Sequence, residues 1–208
     1  MSPMSESIAH HDVHRDDEAS KLGIWLFIFT ELLFFGGLFI TYAVYRHAHS
    51  QAFHLAAQEL DVVVGTINTV ILLISSMTIA MATTAIQKKD KRTTLLLIGI
   101  TLLLALVFLV NKYFEWSLKI EHGIWPGSPM LEELGKGDTL FFGLYFFMTG
   151  LHALHIIIGM VILIVVLVRV RNNRIGFDNF QLLENGGLYW HLVDLIWIFL
   201  FPLFYLIT

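Results

Sequence analysis

Cysteine is missing from all 208 residues. That excludes disulfides, thiolate metal sites, iron–sulfur clusters and covalent c-type haem attachment. Proline occurs only four times, and charged residues make up 14% of the chain. A soluble domain carries about 25% charged residues, so this chain cannot cover a globular surface with charge. Basic patches are also lacking, since 13 Lys and Arg face 17 Asp and Glu. Nucleic acid is therefore not an expected partner. What is abundant is apolar: 56% hydrophobic residues and a mean hydropathy of +0.71. These proportions describe an integral membrane protein.

Apolar runs of about 18 residues or more read as transmembrane helices. Five are present, near Leu22–Tyr45, Val62–Ile86, Thr94–Trp116, Thr139–Val168 and Leu188–Ile207. The expected fold is an all-α membrane protein, a bundle of five transmembrane helices. The fourth run is long enough to tilt or protrude. Residues 1–21 are acidic and His-rich, with no apolar core before a cleavage site, and read as a solvated tail rather than a signal peptide. Residues 22–208 form the transmembrane domain.

Lys and Arg in short loops set orientation. The N-terminal side holds nine: Arg15, Lys21, Lys88, Lys89, Lys91, Arg92, Arg169, Arg171 and Arg174. The opposite side holds four: Arg46, Lys112, Lys119 and Lys136. The N-terminus is expected in the cytoplasm and the C-terminus on the opposite side of the membrane, the periplasm in a bacterium. Trp25, Trp116, Trp125, Trp190, Tyr113 and Tyr189 lie near run ends, as interfacial rings should.

Ionisable groups inside a bilayer are costly and need a reason. Glu31 lies about 13 Å into the first run, near the midplane. It is either a protonated carboxyl with one partner or a group that relays a proton. His152 and His155, three apart on one helix face, lie at similar depth, so either is expected to bond Glu31. His191 and Asp194 open the fifth run and read as a local hydrogen-bonded pair near the interface. The mismatch in depth between His191 and the other two histidines argues against a bis-histidine haem and against a closed metal site. Asn68, Ser75, Ser76 and Thr78 read as glue between helices. Gly36, Gly37, Gly143, Gly150 and Gly159 read as points of close approach. Lys112 and Glu115 are placed to snorkel to headgroups. The tail histidines His10, His11 and His14, beside Asp12, Asp16, Asp17 and Glu18, read as a solvated tail or as a proton-collecting surface.

Four segments occur in order along the chain: TELLFFGGLFITY, NTVILLISSMT, TGLHALHIIIG and YWHLVDLIWIFLFPLFYL. Together they resemble subunit III of the haem–copper terminal oxidases, the cytochrome c oxidase subunit 3 family, in its five-helix bacterial form. The resemblance implies a subunit with no redox or catalytic centre of its own, so no cofactor or metal in this chain. It implies haems and copper in partner subunits, contact mainly with subunit I, and further contact with subunit II and other subunits. It also implies a role in keeping cytoplasmic proton uptake working. Glu31 matches the family's carbodiimide-reactive carboxyl, and His152 and His155 match its paired histidines. Arg169 matches a residue that holds a lipid phosphate, and Glu184 matches an acidic residue before the last helix's histidine. Bound phospholipid is thus an expected partner, although the long form's lipid cleft needs two helices this chain lacks. Cytochrome c is the favoured electron donor; quinol stays open, as does a five-helix relative that accompanies nitric oxide reductases. From the residues alone, a transporter or proton channel and a stand-alone b-type cytochrome remain competing classes.

Overall fold

The computed structural model describes the backbone of residues 3–177 and 179–207, and side chains from Ala19 to Ile207 except Glu132 and Asp178. Among the described residues seven helices follow in order: α1 (Pro3–Ala48), α2 (Ser50–Ala57), α3 (Val62–Gln87), α4 (Lys91–Glu121), α5 (Pro129–Leu134), α6 (Lys136–Arg171) and α7 (Gln181–Tyr205). Five are long and apolar enough to cross a membrane, the part of α1 in question being Ala19–Ala48. The side chains of His10, His11 and His14 lie outside the described residues.

Local signals set several of the long helices' ends. Asp61 caps α3 by accepting from Val63 N at 2.8 Å and Val64 N at 3.2 Å. Asp90 caps α4 and accepts from the Thr93 amide and hydroxyl at 3.1 and 2.6 Å, which holds its carboxyl below the usual range. Between them the chain reverses at Lys89, whose φ of 62° closes α3 through bonds from Lys89 N to Ile86 O and Asp90 N to Ala85 O. Asn173 closes α6 in the same way.

The helices α3, α4, α6 and α7 form the core, and α1 lies on the edge formed by α6 and α7. Hydrogen bonds fix which ends meet. Lys91 Nζ donates to Arg171 O at 2.7 Å and to Asn173 Oδ1 at 2.6 Å, joining the two cation-rich turns at what we call the basic end. Asn185 Nδ2 donates to Ser20 Oγ there as well. At the far end, Tyr42 Oη donates to Leu203 O at 2.5 Å, and α2 and α5 fold over the bundle. Arg169 is exposed at the basic end and Glu184 half-buried there; among the described residues neither forms an ion pair.

The helix seams are partly polar. Asn111 Nδ2 donates to Asn68 Oδ1 at 2.9 Å, Trp190 Nε1 to Ser75 Oγ at 3.1 Å, and Thr78 and Thr101 hydroxyls lie 2.8 Å apart. Ser76 bonds His191, so all four expected bridging residues reach across to another helix.

The glycine expectation holds for two of the five residues. A Cβ built on Gly159 would sit 2.9 Å from the Trp190 ring, and one on Gly150 would sit 3.1 Å from Trp116. Gly36, Gly37 and Gly143 have nothing within 4 Å of such a Cβ, so they bring no helices of this chain together. Trp190 is fully buried and tied through its indole N–H to Ser75, so it cannot yield. Gly159→Val is therefore expected to destabilise the chain by about 1–3 kcal/mol, the usual cost of overpacking. Thermal unfolding in detergent beside Gly143→Val, expected to be near neutral, checks this.

Two boundary expectations are corrected. Helix α7 begins at Gln181, not near Leu188. Its first two turns, QLLENGG, are too polar to register as part of an apolar run. They are nevertheless helical, because Gly186 and Gly187 pack against α6 and α3 and Asn185 bonds α1. Trp190 and Tyr189 are consequently core residues, not interfacial ones. Helix α4 runs on to Glu121, which carries Lys112 and Glu115 deeper than expected.

Candidate functional site

The first buried polar group joins α1 to α6. Glu31 Oε2 lies 3.1 Å from His155 Nε2, the contact expected from their matching depth. The other ring nitrogen, Nδ1, lies 2.8 Å from Leu151 O. A carbonyl only accepts, so Nδ1 carries a hydrogen. The Glu31–His155 contact is then a hydrogen bond only if one more proton lies between the two groups. That proton is on Glu31 with a neutral imidazole, or on Nε2 with an imidazolium and a carboxylate. The pair thus holds one shared proton near the middle of the bundle.

The surroundings lock it. Phe35, one turn after Glu31, packs edge-on to the His155 ring at 5.4 Å. Phe27, one turn before, stacks on Tyr189 at 5.9 Å, and Tyr189 Oη donates to His155 O at 3.1 Å. Among the described residues most of the rest of α1 faces outward, so this stripe, with Phe39 on Phe199 and Tyr42 on Phe204 further along, holds α1 in place.

His152 does not bond Glu31. It is fully buried, stacked on Trp197 at 5.2 Å and edge-on to Phe108 at 5.7 Å, and neither ring nitrogen has a hydrogen-bond partner. The i,i+3 spacing put both histidines on one face, but about 60° of residual rotation turns one toward α1 and the other into the core.

The expected His191–Asp194 pair is not formed. His191 Nδ1 lies 2.7 Å from Ser76 Oγ on α3 instead. Asp194 is 3% exposed, and neither carboxyl oxygen has a hydrogen-bond partner. With α7 starting at Gln181, His191 is about 15 Å inside the helix, so the depth mismatch invoked against metal ligation is smaller than expected. Direction now separates the histidines: His155 faces α1, His152 faces Trp197, and His191 faces α3. They do not converge on a common point, and no group of three His, Asp or Glu side chains among the described residues could hold a metal ion. Among the described residues, these three histidines are therefore not arranged as the ligands of a shared haem or copper site.

The second buried group departs from its expected place at the headgroups. Lys112 and Glu115 do not snorkel; they are 4% and 8% exposed. Lys112 Nζ donates to Glu115 Oε2 at 3.2 Å, to Tyr145 Oη at 3.0 Å and to Tyr205 Oη at 2.8 Å. Both tyrosines in turn donate to Glu115 Oε1 at 2.5 Å. All three ammonium hydrogens have acceptors, and Nζ also lies 5.4 Å above the Trp197 ring. The cluster ties α4, α6 and α7 together in the far half of the bundle. One signal was available beforehand: an opposite-charge pair at i,i+3 inside an apolar run can neutralise itself without leaving the membrane.

The family model described as Cytochrome c oxidase subunit III matches residues 4–208. The chain belongs to this family. The cytochrome c oxidase subunit 3 of Thermostichus vulcanus is 34% identical over 205 residues, covering 97% of this chain and 94% of the relative. A probable quinol oxidase subunit 3 from Staphylococcus saprophyticus is 30% identical over 203 residues, covering 95% and 96%. A protein of Aeropyrum pernix named heme-copper oxidase subunit I+III is 32% identical over 193 residues, covering 90% of this chain and 22% of that longer protein. This subunit III is a multi-pass membrane protein of the haem–copper oxidase family, and both buried clusters belong to its five-helix body.

Proposed function

We propose that the chain is the non-catalytic third subunit of a proton-pumping oxidase of aerobic respiration, fed by cytochrome c. It sits in the inner membrane of a bacterium with its N-terminus in the cytoplasm. The observation that carries the reading is the Glu31–His155 pair: one shared proton held in the membrane, with no converging ligand set beside it. A proton-holding subunit without a redox centre fits an accessory role beside the chain that reduces oxygen. Haems and copper then reside in partner subunits. Subunit I is the main partner, a reading supported by the Aeropyrum pernix protein whose name joins I and III in one chain. The excess of Lys and Arg on the loops of the N-terminal side supports the orientation.

The Thermostichus vulcanus relative supports cytochrome c as donor, while the Staphylococcus saprophyticus relative favours quinol as the second reading. Purifying the chain in mild detergent with its accompanying subunits decides between them. Copper bound in the accompanying subunits at a binuclear site, with oxidation of reduced cytochrome c, is expected. Oxidation of quinol by a complex lacking that copper would establish the second reading. Isolation of the chain alone, catalysing proton flux in liposomes, would overturn both.

A further inference from the structure

A cavity of about 1070 Å³ opens at the far end of the bundle, between α3, α4 and α6 and beneath α2 and α5. It touches neither α1 nor the Glu31–His155 pair, and it lies at the opposite end from Arg169 and Glu184. Its shape along α4 is informative. Its wall runs from Asn111 to His122, about 16 Å at 1.5 Å per residue. That is about half the thickness of a hydrocarbon core, so the cavity spans one leaflet from its edge inward.

The chemistry changes along that depth. The mouth carries Glu59, Asp61, Asp138, Lys119 and His122. Below it, Ile67, Phe114 and Leu118 line the wall, with Leu55 of α2 overhead, and all four are exposed on the surface of the chain. Deeper still, Asn111 and Glu115 present polar atoms that are already bonded to Asn68 and to the tyrosines. A charged rim above an apolar slot open to the side matches an amphiphile entering from the membrane.

The rim also selects the head. Lys119 donates to Glu59 O and lies 3.9 Å from Glu59 Oε2, while Asp61 is engaged in capping α3. Asp138, half-buried in the first turn of α6, forms no ion pair among the described residues. The rim therefore has one lysine against three carboxylates. A purely anionic head meets repulsion there. A head that pairs a phosphate with a primary ammonium can set the phosphate toward Lys119 and His122 and give its N–H donors to Asp138 and Glu59. We propose that this cavity binds an aminophospholipid, a glycerophospholipid with an ethanolamine-type head.

Native mass spectrometry of the chain, with the subunits that accompany it, tests this after titration with dioleoyl phosphatidylethanolamine, phosphatidylglycerol or phosphatidylcholine. The ethanolamine lipid is expected to bind this subunit about tenfold better than either other lipid, the ratio one charge-assisted hydrogen bond supplies. The double variant Asp138→Asn with Glu59→Gln removes the two charges that receive the ammonium while keeping side-chain shape, and should erase that preference. A diazirine-bearing ethanolamine lipid should label the Phe114–Leu118 segment. Equal binding of the three lipids, an unchanged preference in the double variant, or labelling elsewhere would each overturn the proposal. So would crosslinks showing the cavity filled by another polypeptide.

Discussion

Replacing Lys112 with leucine is expected to destabilise the chain by about 3–5 kcal/mol, the usual cost of leaving one member of a buried ion pair alone. Glu115 would lose its ammonium partner, and the two tyrosines would face a lone charge with no water to solvate it. The double variant Lys112→Met with Glu115→Gln should recover more than half of that loss. The glutamine oxygen still accepts from Tyr145 and Tyr205, and no charge remains to be neutralised. Denaturant unfolding in detergent micelles, followed by tryptophan fluorescence, measures both. Trp197 lies under Lys112 and reports on the cluster directly. A single variant costing less than about 1 kcal/mol, within the range of an exposed pair, would mean that the cluster is open to solvent and does not hold the far half together.

Substitutions at Glu31 separate anchoring from proton holding. Glu31→Leu leaves His155 Nε2 without a partner and should cost about 1–3 kcal/mol. It should also loosen α1, which has few other buried side chains. Glu31→Gln keeps a donor for His155 Nε2, so α1 stays docked, yet the amide neither takes up nor releases the shared proton. In the assembled oxidase, Glu31→Gln is expected to retain its partner subunits and to turn over more slowly than the native complex at alkaline pH, where protons are scarce. A Glu31→Gln complex with native turnover across the pH range would leave Glu31 only a structural role.

The contrast between these two sites explains what could be read in advance. Glu31 was legible because it stands alone in an apolar run. A lone ionisable group at mid-depth needs a partner, and histidines at matching depth on another helix supplied the candidates. Choosing His155 over His152 was not legible, since the choice depends on how α6 is rotated against α1. Lys112 and Glu115 were misplaced for a different reason. They sit where an apolar run fades, and hydropathy cannot tell a helix that ends there from one that continues to Glu121. His191 and Asp194 were misread because the polar first turns of α7 hid two turns of helix, which moved both residues inward.

Hydrocarbon thickness sets a minimum apolar length, so the number of spans is readable along the chain alone. The same reading covers the lack of thiol chemistry, the buried carboxyl of Glu31 with its histidine candidates and, through four motifs, the family. Tertiary structure decided the pairings: His155 with Glu31, His191 with Ser76, and Lys112 with Glu115 and two tyrosines. It also decided which glycines matter and where a cavity opens. Partners across helices are set by axial rotation and relative depth, two quantities that arise only when helices pack and that no pattern along a single chain contains.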